Sequence, residues 1–125
     1  MKILIPVLII FLITISGCFY DSEEYLYPQL TSGCDTTNIT YTGSIKPILN
    51  LSCLSCHSNS TAASYGANIK LEDYSDVNIR VNDGKLMGTI THSSGYSAMP
   101  KGSSKLSDCS IALIQKWISK GAVNN

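Results

Sequence analysis

The sequence predicts a small all-α domain with substantial loops. Three observations carry that prediction. No stretch alternates apolar and polar residues as a half-buried strand requires. A capped helical pattern closes the chain, and a second apolar stripe runs into Cys53-Leu54-Ser55-Cys56-His57. No internal repeat is visible.

The first seventeen residues read as an address. Lys2 supplies a positive start, and Ile3 to Ile15 is apolar apart from Pro6 and Thr14. Such a run is short for a spanning helix and fits a secretory signal segment, residues 1–17. Ile15-Ser16-Gly17-Cys18 resembles the lipobox of bacterial lipoproteins, which implies lipidation of Cys18. An uncleaved N-terminal anchor helix is the alternative. Both place the rest of the chain outside the cytoplasm and hold it to a membrane. Residues 18–40, with Tyr20, Asp21, Glu23, Glu24, Tyr25, Tyr27 and Pro28, have no clear period and read as a tether. Residues 41–125 are left for one domain with a single core.

Within that domain Ser44 is the expected N-cap of a first helix, with Pro47 tolerated in its first turn. Ile45, Ile48 and Leu49 fall at i, i+3 and i+4 on one face. Residues 59–68, rich in Ser, Thr, Ala and Gly, predict a loop. A helix over 73–82 carries Tyr74, Val77 and Val81 on one side and stops at Gly84. A shorter helix is expected over 86–91, then a Ser- and Gly-rich loop to Ser104. The last helix is the clearest. Ser107 caps it, Asp108 sits in its first turn, and Ile111, Ile114, Trp117 and Ile118 form the buried face. Lys116 and Lys120 follow, and Gly121 is the stop.

Formal net charge is zero, so no basic face exists for nucleic acid and no strong electrostatic steering is expected. Large apolar residues are few beyond the signal, and a core made from protein alone would be thin.

The five residues from Cys53 to His57 carry the chemistry. Two thiols at this spacing can add across two vinyl groups of one porphyrin, and the adjacent imidazole then meets the iron. Cys-x-x-Cys alone is ambiguous, and the histidine directly after it makes the pattern a c-type haem attachment site. A second axial ligand is needed for electron transfer, and Met99, followed by Pro100 ahead of the last helix, is the candidate. His92 as a distal ligand would give a bis-histidine iron instead. Met87 is a third possibility, although Leu86 and Ile90 beside it suggest core packing. A thioredoxin-like site would need a preceding strand, and zinc would need a second ligand pair beyond the lone His92. Five cysteines make an odd count for an exported chain. With Cys18 assigned to lipid and Cys53 and Cys56 to haem, Cys34 and Cys109 remain. They either pair as a disulfide, worth about 3–4 kcal/mol on the chain-entropy model, or stay as two buried thiols.

With these residues in place the chain resembles the class I cytochromes c. The resemblance rests on the apolar segment Ile45–Leu51, the attachment site Cys53-Leu54-Ser55-Cys56-His57, Met99-Pro100, and the Ile111–Lys120 helix with Trp117. It covers most of residues 40–123. Locally, PILNLSCLSCHS and IQKWISKGA look most like the planctomycete-type subgroup and similar lipid-anchored monohaem cytochromes of the bacterial envelope. It implies a helical fold in which first and last helices cross around one covalent haem c, with one haem edge near the surface. The Cys34–Cys109 pair and the tether are departures from the family pattern.

These readings converge on a lipid-anchored carrier of single electrons between envelope redox proteins, periplasmic or on the outer membrane. No catalytic acid, base or nucleophile is expected, so the chain reads as a carrier and not an enzyme. The alternative is an open-iron or bis-histidine haem module serving as a sensor or an enzyme's subunit. Tyr65, Tyr74 and Tyr96 are candidates to border the pocket, and Leu71 and Trp117 to face the haem or the helix crossing. Lys101 and Lys105 are candidates to meet an acidic partner, against the plainer reading of solvated loop lysines.

Overall fold

Among the described residues, 34–125 of a computed structural model, the chain forms helices joined by loops, with no strand. The predicted signal segment, Cys18 and the tether up to Gly33 lie outside the described residues. A π-helical turn, Tyr41–Ile45, leads into α1 (Lys46–Ser52). Two single turns follow, α2 (Leu54–His57) and α3 (Ala62–Tyr65). Then come α4 (Tyr74–Asn82), α5 (Lys85–Ile90) and the longest helix, α6 (Asp108–Ser119). No helix among the described residues is long and apolar enough to cross a membrane.

The start of the first helix differs from the sequence expectation. Thr40, not Ser44, is the cap, its hydroxyl accepting from the Gly43 N–H at 3.0 Å. Pro47 explains the shift. Its ring crowds the carbonyl four residues back and it has no N–H to give. The chain answers with a wider turn ahead of it, in which Ile45 N–H and Lys46 N–H each reach five residues back.

The expected ends of α4 and α6 are present. Gly84 takes φ +73 after α4, a conformation cheap only for glycine. Ser107 Oγ accepts from the Ser110 N–H at 3.1 Å, capping α6. At its far end Gly121 N–H bonds Ile118 O and Ala122 N–H bonds Trp117 O, the paired bonds of a Schellman motif. The predicted loop over 59–68 contains a turn of helix, α3, instead of being irregular throughout. Just ahead of it the Ser58 and Thr61 hydroxyls lie 2.7 Å apart and Thr61 N–H donates to Ser58 Oγ at 3.2 Å, and the same small polar residues made the segment look like loop.

The core is drawn from both ends of the unit. Ile45, Leu49, Val77, Ile114 and Trp117 are almost fully buried, with Ile39, Leu86 and Ile90 around them. The π turn packs on α6, α6 also packs on α5, and α4 on α5. Tyr41 sits between Tyr74, edge-on at 5.2 Å, and Trp117, tilted at 5.5 Å. The Trp117 indole N–H donates to Val123 O at 2.9 Å, and Asn125 Oδ1 accepts from Tyr41 N–H at 2.9 Å. These bonds lay the C-terminal tail against the start of the first helix.

The compact unit formed by the described residues begins at Cys34. Within it Ile39 is buried, and Cys34 and Cys109 stand at disulfide distance, Sγ–Sγ 2.11 Å and Cα–Cα 5.3 Å. A polar stretch with one isoleucine carries no periodic signal, so the burial of Ile39 is legible only in the packing.

Candidate functional site

Cys53 breaks the chain between α1 and α2 with φ −125°, and its carbonyl accepts from Cys56 N–H and His57 N–H. That single tight turn sets both thiols and the imidazole on one short segment. Cys53 and Cys56 are free; Cys56 is exposed and Cys53 half-buried. Burial pushes the Cys53 thiol up from 9.0 to about 11. A cysteine that works as a thiolate at neutral pH shows the opposite shift.

The His57 ring is fixed by its backbone surroundings. Nδ1 lies 2.8 Å from the Ile69 carbonyl. A carbonyl only accepts, so Nδ1 carries the proton and Nε2 keeps its lone pair. This is the tautomer of an imidazole prepared to ligate through Nε2. The loop that delivers Ile69 O is unusual. Ala67 and Asn68 take φ +51 and +60, conformations that cost a non-glycine residue on the order of 1–2 kcal/mol each. Asn68 N–H and Leu71 N–H close the loop on Ala62 O and His57 O. Gly66 lies against the ring: a Cβ there would stand 2.5 Å from Cys56 O and 2.8 Å from His57 Nδ1. Gly66→Ala is therefore expected to cost about 1–3 kcal/mol, read as a lowered thermal midpoint. None of Gly66, Ala67, Asn68 or Ile69 was singled out from sequence, and only the glycine in a small-residue loop gave any hint.

Beside this segment lies a cavity of about 680 Å³. Cofactor sites typically span about 300–1,000 Å³. Cys53, Cys56, His57 and Met99 all line it, so residues 46 positions apart in sequence are brought to one wall-set. Ile69, Leu71, Leu86, Ile90 and Leu106 supply apolar lining. Arg80, Lys85 and Lys101 also line it, and no carboxylate among the described residues does. Asp83 sits outside, holding Arg80 at 2.8 Å and Lys85 at 3.6 Å.

The other sequence candidates divide. Tyr65 and Tyr96 line the cavity, and Gly88 lets the Tyr96 ring lie directly on α5. Tyr74 does not; its hydroxyl donates to Ala122 O at 2.8 Å. Leu71 lines the cavity whereas Trp117 belongs to the helix packing. Lys101 is at the cavity and Lys105 pairs with Asp108 at 3.2 Å. Met87 packs against the core. His92 is exposed, is not a lining residue, and holds the Met99 carbonyl with Nε2 at 3.0 Å. With Nε2 on that carbonyl, His92 stands outside the lining of the cavity that Met99 borders. For the zinc reading, no group of three or more His, Cys, Asp or Glu placed to hold a metal ion occurs among the described residues.

Comparisons with protein-family models, curated proteins and solved structures found no match to this chain.

The residues present fit a covalently held haem. Two free thiols precede an imidazole whose Nε2 lone pair is available, a thioether lines the same cavity, and three cations suit two acidic side arms. In protein made without haem attachment, alkylation at pH 8 is expected to label Cys56 well ahead of Cys53. The folded chain holds the Cys53 proton more tightly than the unfolded chain, so the stability it contributes is whole below about pH 9 and is lost as pH rises through about 11. Peptide mapping of an alkylation series from pH 8 to 11 checks this: the Cys53 lag should close only at the alkaline end.

Proposed function

We propose that this chain is a monohaem c-type cytochrome that carries single electrons, with haem c bound through Cys53 and Cys56 and axial ligation by His57 and Met99. The observation that carries the reading is the shared cavity: all four residues line it. When bound, haem supplies an Fe(II)/Fe(III) couple. The chain's residues do the rest. Ile69 O orients the His57 ring, and the thioether of Met99 offers a ligand that favours the reduced state. Ile69, Leu71, Leu86, Ile90 and Leu106 would keep water from the metal, and Arg80, Lys85 and Lys101 would offset the two acidic side arms of the haem. No proton transfer or bond cleavage is asked of any side chain, so the protein is a carrier and not an enzyme.

Cys18, through lipidation, would hold this carrier to the bacterial envelope, with donor and acceptor redox proteins as its partners. The class I cytochrome c fold is the architecture this reading assigns to the helical domain.

Expression with a c-type maturation system tests the proposal. Wild-type protein is expected to hold one haem that survives denaturation, with the mass of a covalent adduct on the peptide bearing Cys53 and Cys56. It should also show a methionine-to-iron charge-transfer band when oxidised. Cys53→Ala with Cys56→Ala abolishes the adduct, and Met99→Ala abolishes the band while keeping the adduct. An unmodified wild-type peptide would overturn the proposal. An adduct with no methionine band and rapid carbon monoxide binding would favour the open-iron module.

A further inference from the structure

We propose that His92 is a positioning residue for Met99: its imidazole N–H, donated to the Met99 carbonyl, holds the loop that carries the thioether. The inference rests on the haem reading above for its significance, but not for its geometry.

Met99 sits in a long loop of Ser, Gly and Lys residues between α5 and α6. Among the described residues, two hydrogen bonds tie residues 97–106 to α5 and the residues just after it, and both fall on Met99. Its N–H donates to Thr89 O at 3.1 Å, and its carbonyl accepts from His92 Nε2 at 3.0 Å. A methionine side chain has three rotatable bonds and positions a ligand poorly unless its backbone is held. Clamping the peptide groups on both sides of the Met99 Cα confines the sulfur to the arc its own torsions allow.

His92 ends α5 with its backbone and meets Met99 with its side chain. It takes φ +55, a left-handed conformation costly for a residue with a Cβ. Its side chain is exposed, contributes nothing to the core and does not line the cavity. That φ belongs to the helix stop: His92 N–H bonds Thr89 O and Ser93 N–H bonds Gly88 O, the paired bonds of a Schellman motif ending α5. The same chain reversal lets the His92 imidazole reach the carbonyl seven residues on.

Two substitutions separate the donor from the backbone. His92→Gly suits φ +55 and removes the donor; His92→Gln keeps an N–H donor of comparable reach. In full-length oxidised protein carrying haem, His92→Gly is expected to bind cyanide about tenfold faster and to weaken the methionine band, with its melting temperature near wild type. Tenfold corresponds to about 1.4 kcal/mol, the size of one hydrogen bond. His92→Gln is expected to return the rate to within about twofold of wild type. Hydrogen exchange at the Met99 amide, which needs no iron ligand, should quicken about tenfold in His92→Gly and not in His92→Gln. Wild-type cyanide and exchange rates in His92→Gly overturn the proposal, and so does a glutamine variant as fast as the glycine one. A wild-type protein lacking the methionine band would instead overturn the ligand role of Met99, while the exchange measurement still decides whether His92 clamps the loop.

Discussion

Replacing Cys34 and Cys109 by serine is expected to lower the melting temperature by about 15–30 °C. The two residues are 75 apart, and closing a loop of that length restricts the unfolded chain by about 4 kcal/mol on the chain-entropy model. In a domain this small each kcal/mol moves the midpoint by about 4–8 °C. Total stabilities run at about 5–15 kcal/mol, so this one bridge is a large share of the whole. The structure adds what the bridge fastens. It ties the residues carrying Ile39 to the first turn of α6, on which the first helix also packs. Lys120 Nζ, bonded to Thr37 O at 3.0 Å, is exposed and replaces little of that restraint. Calorimetry of the double serine variant checks the number. A fall under about 5 °C would mean that burial of Ile39 holds the segment unaided.

Trp117→Ala is expected to cost about 3–5 kcal/mol, the largest loss of any single truncation here. Trp117 is 2% exposed, the bulkiest of the fully buried side chains. Its ring faces Tyr41 at 5.5 Å, and its N–H holds Val123 O. Removing it opens a cavity between α6 and the first helix and frees the tail whose Asn125 bonds Tyr41 N–H. Trp117→Phe keeps most of the packing and loses mainly the hydrogen bond, so it should cost about 1–2 kcal/mol. Denaturant titration separates the two. Equal losses in both would show that the indole N–H, and not the ring, is what matters. Tyr41 sharpens the contrast: its buried hydroxyl has no partner among the described residues, and burial pushes its ionisation upward. Its place in the core rests on the ring.

The helices that were easiest to read were those whose ends carry local chemistry. Ser107 and Gly121 bracket α6, and Gly84 stops α4, because a cap hydroxyl or a left-handed glycine acts within a few residues. The first helix was misread at its start because the response to Pro47 lies upstream of it, at Thr40. The α3 turn was hidden because Ser and Thr satisfy helix ends and loops with the same hydroxyls.

From the sequence alone came the chemistry-bearing set: two thiols and an imidazole at fixed spacing, a methionine downstream, and a spare cysteine pair. Those follow from residue type and short spacing, which local rules govern. Tertiary structure alone decided how they are placed. It folded Ile69 O onto His57, left a glycine at 66 against the ring, set Cys53, Cys56, His57 and Met99 around one cavity, and brought the His92 imidazole to the Met99 carbonyl. Each depends on backbone groups meeting across many residues, and backbone carbonyls leave no trace in side-chain identity.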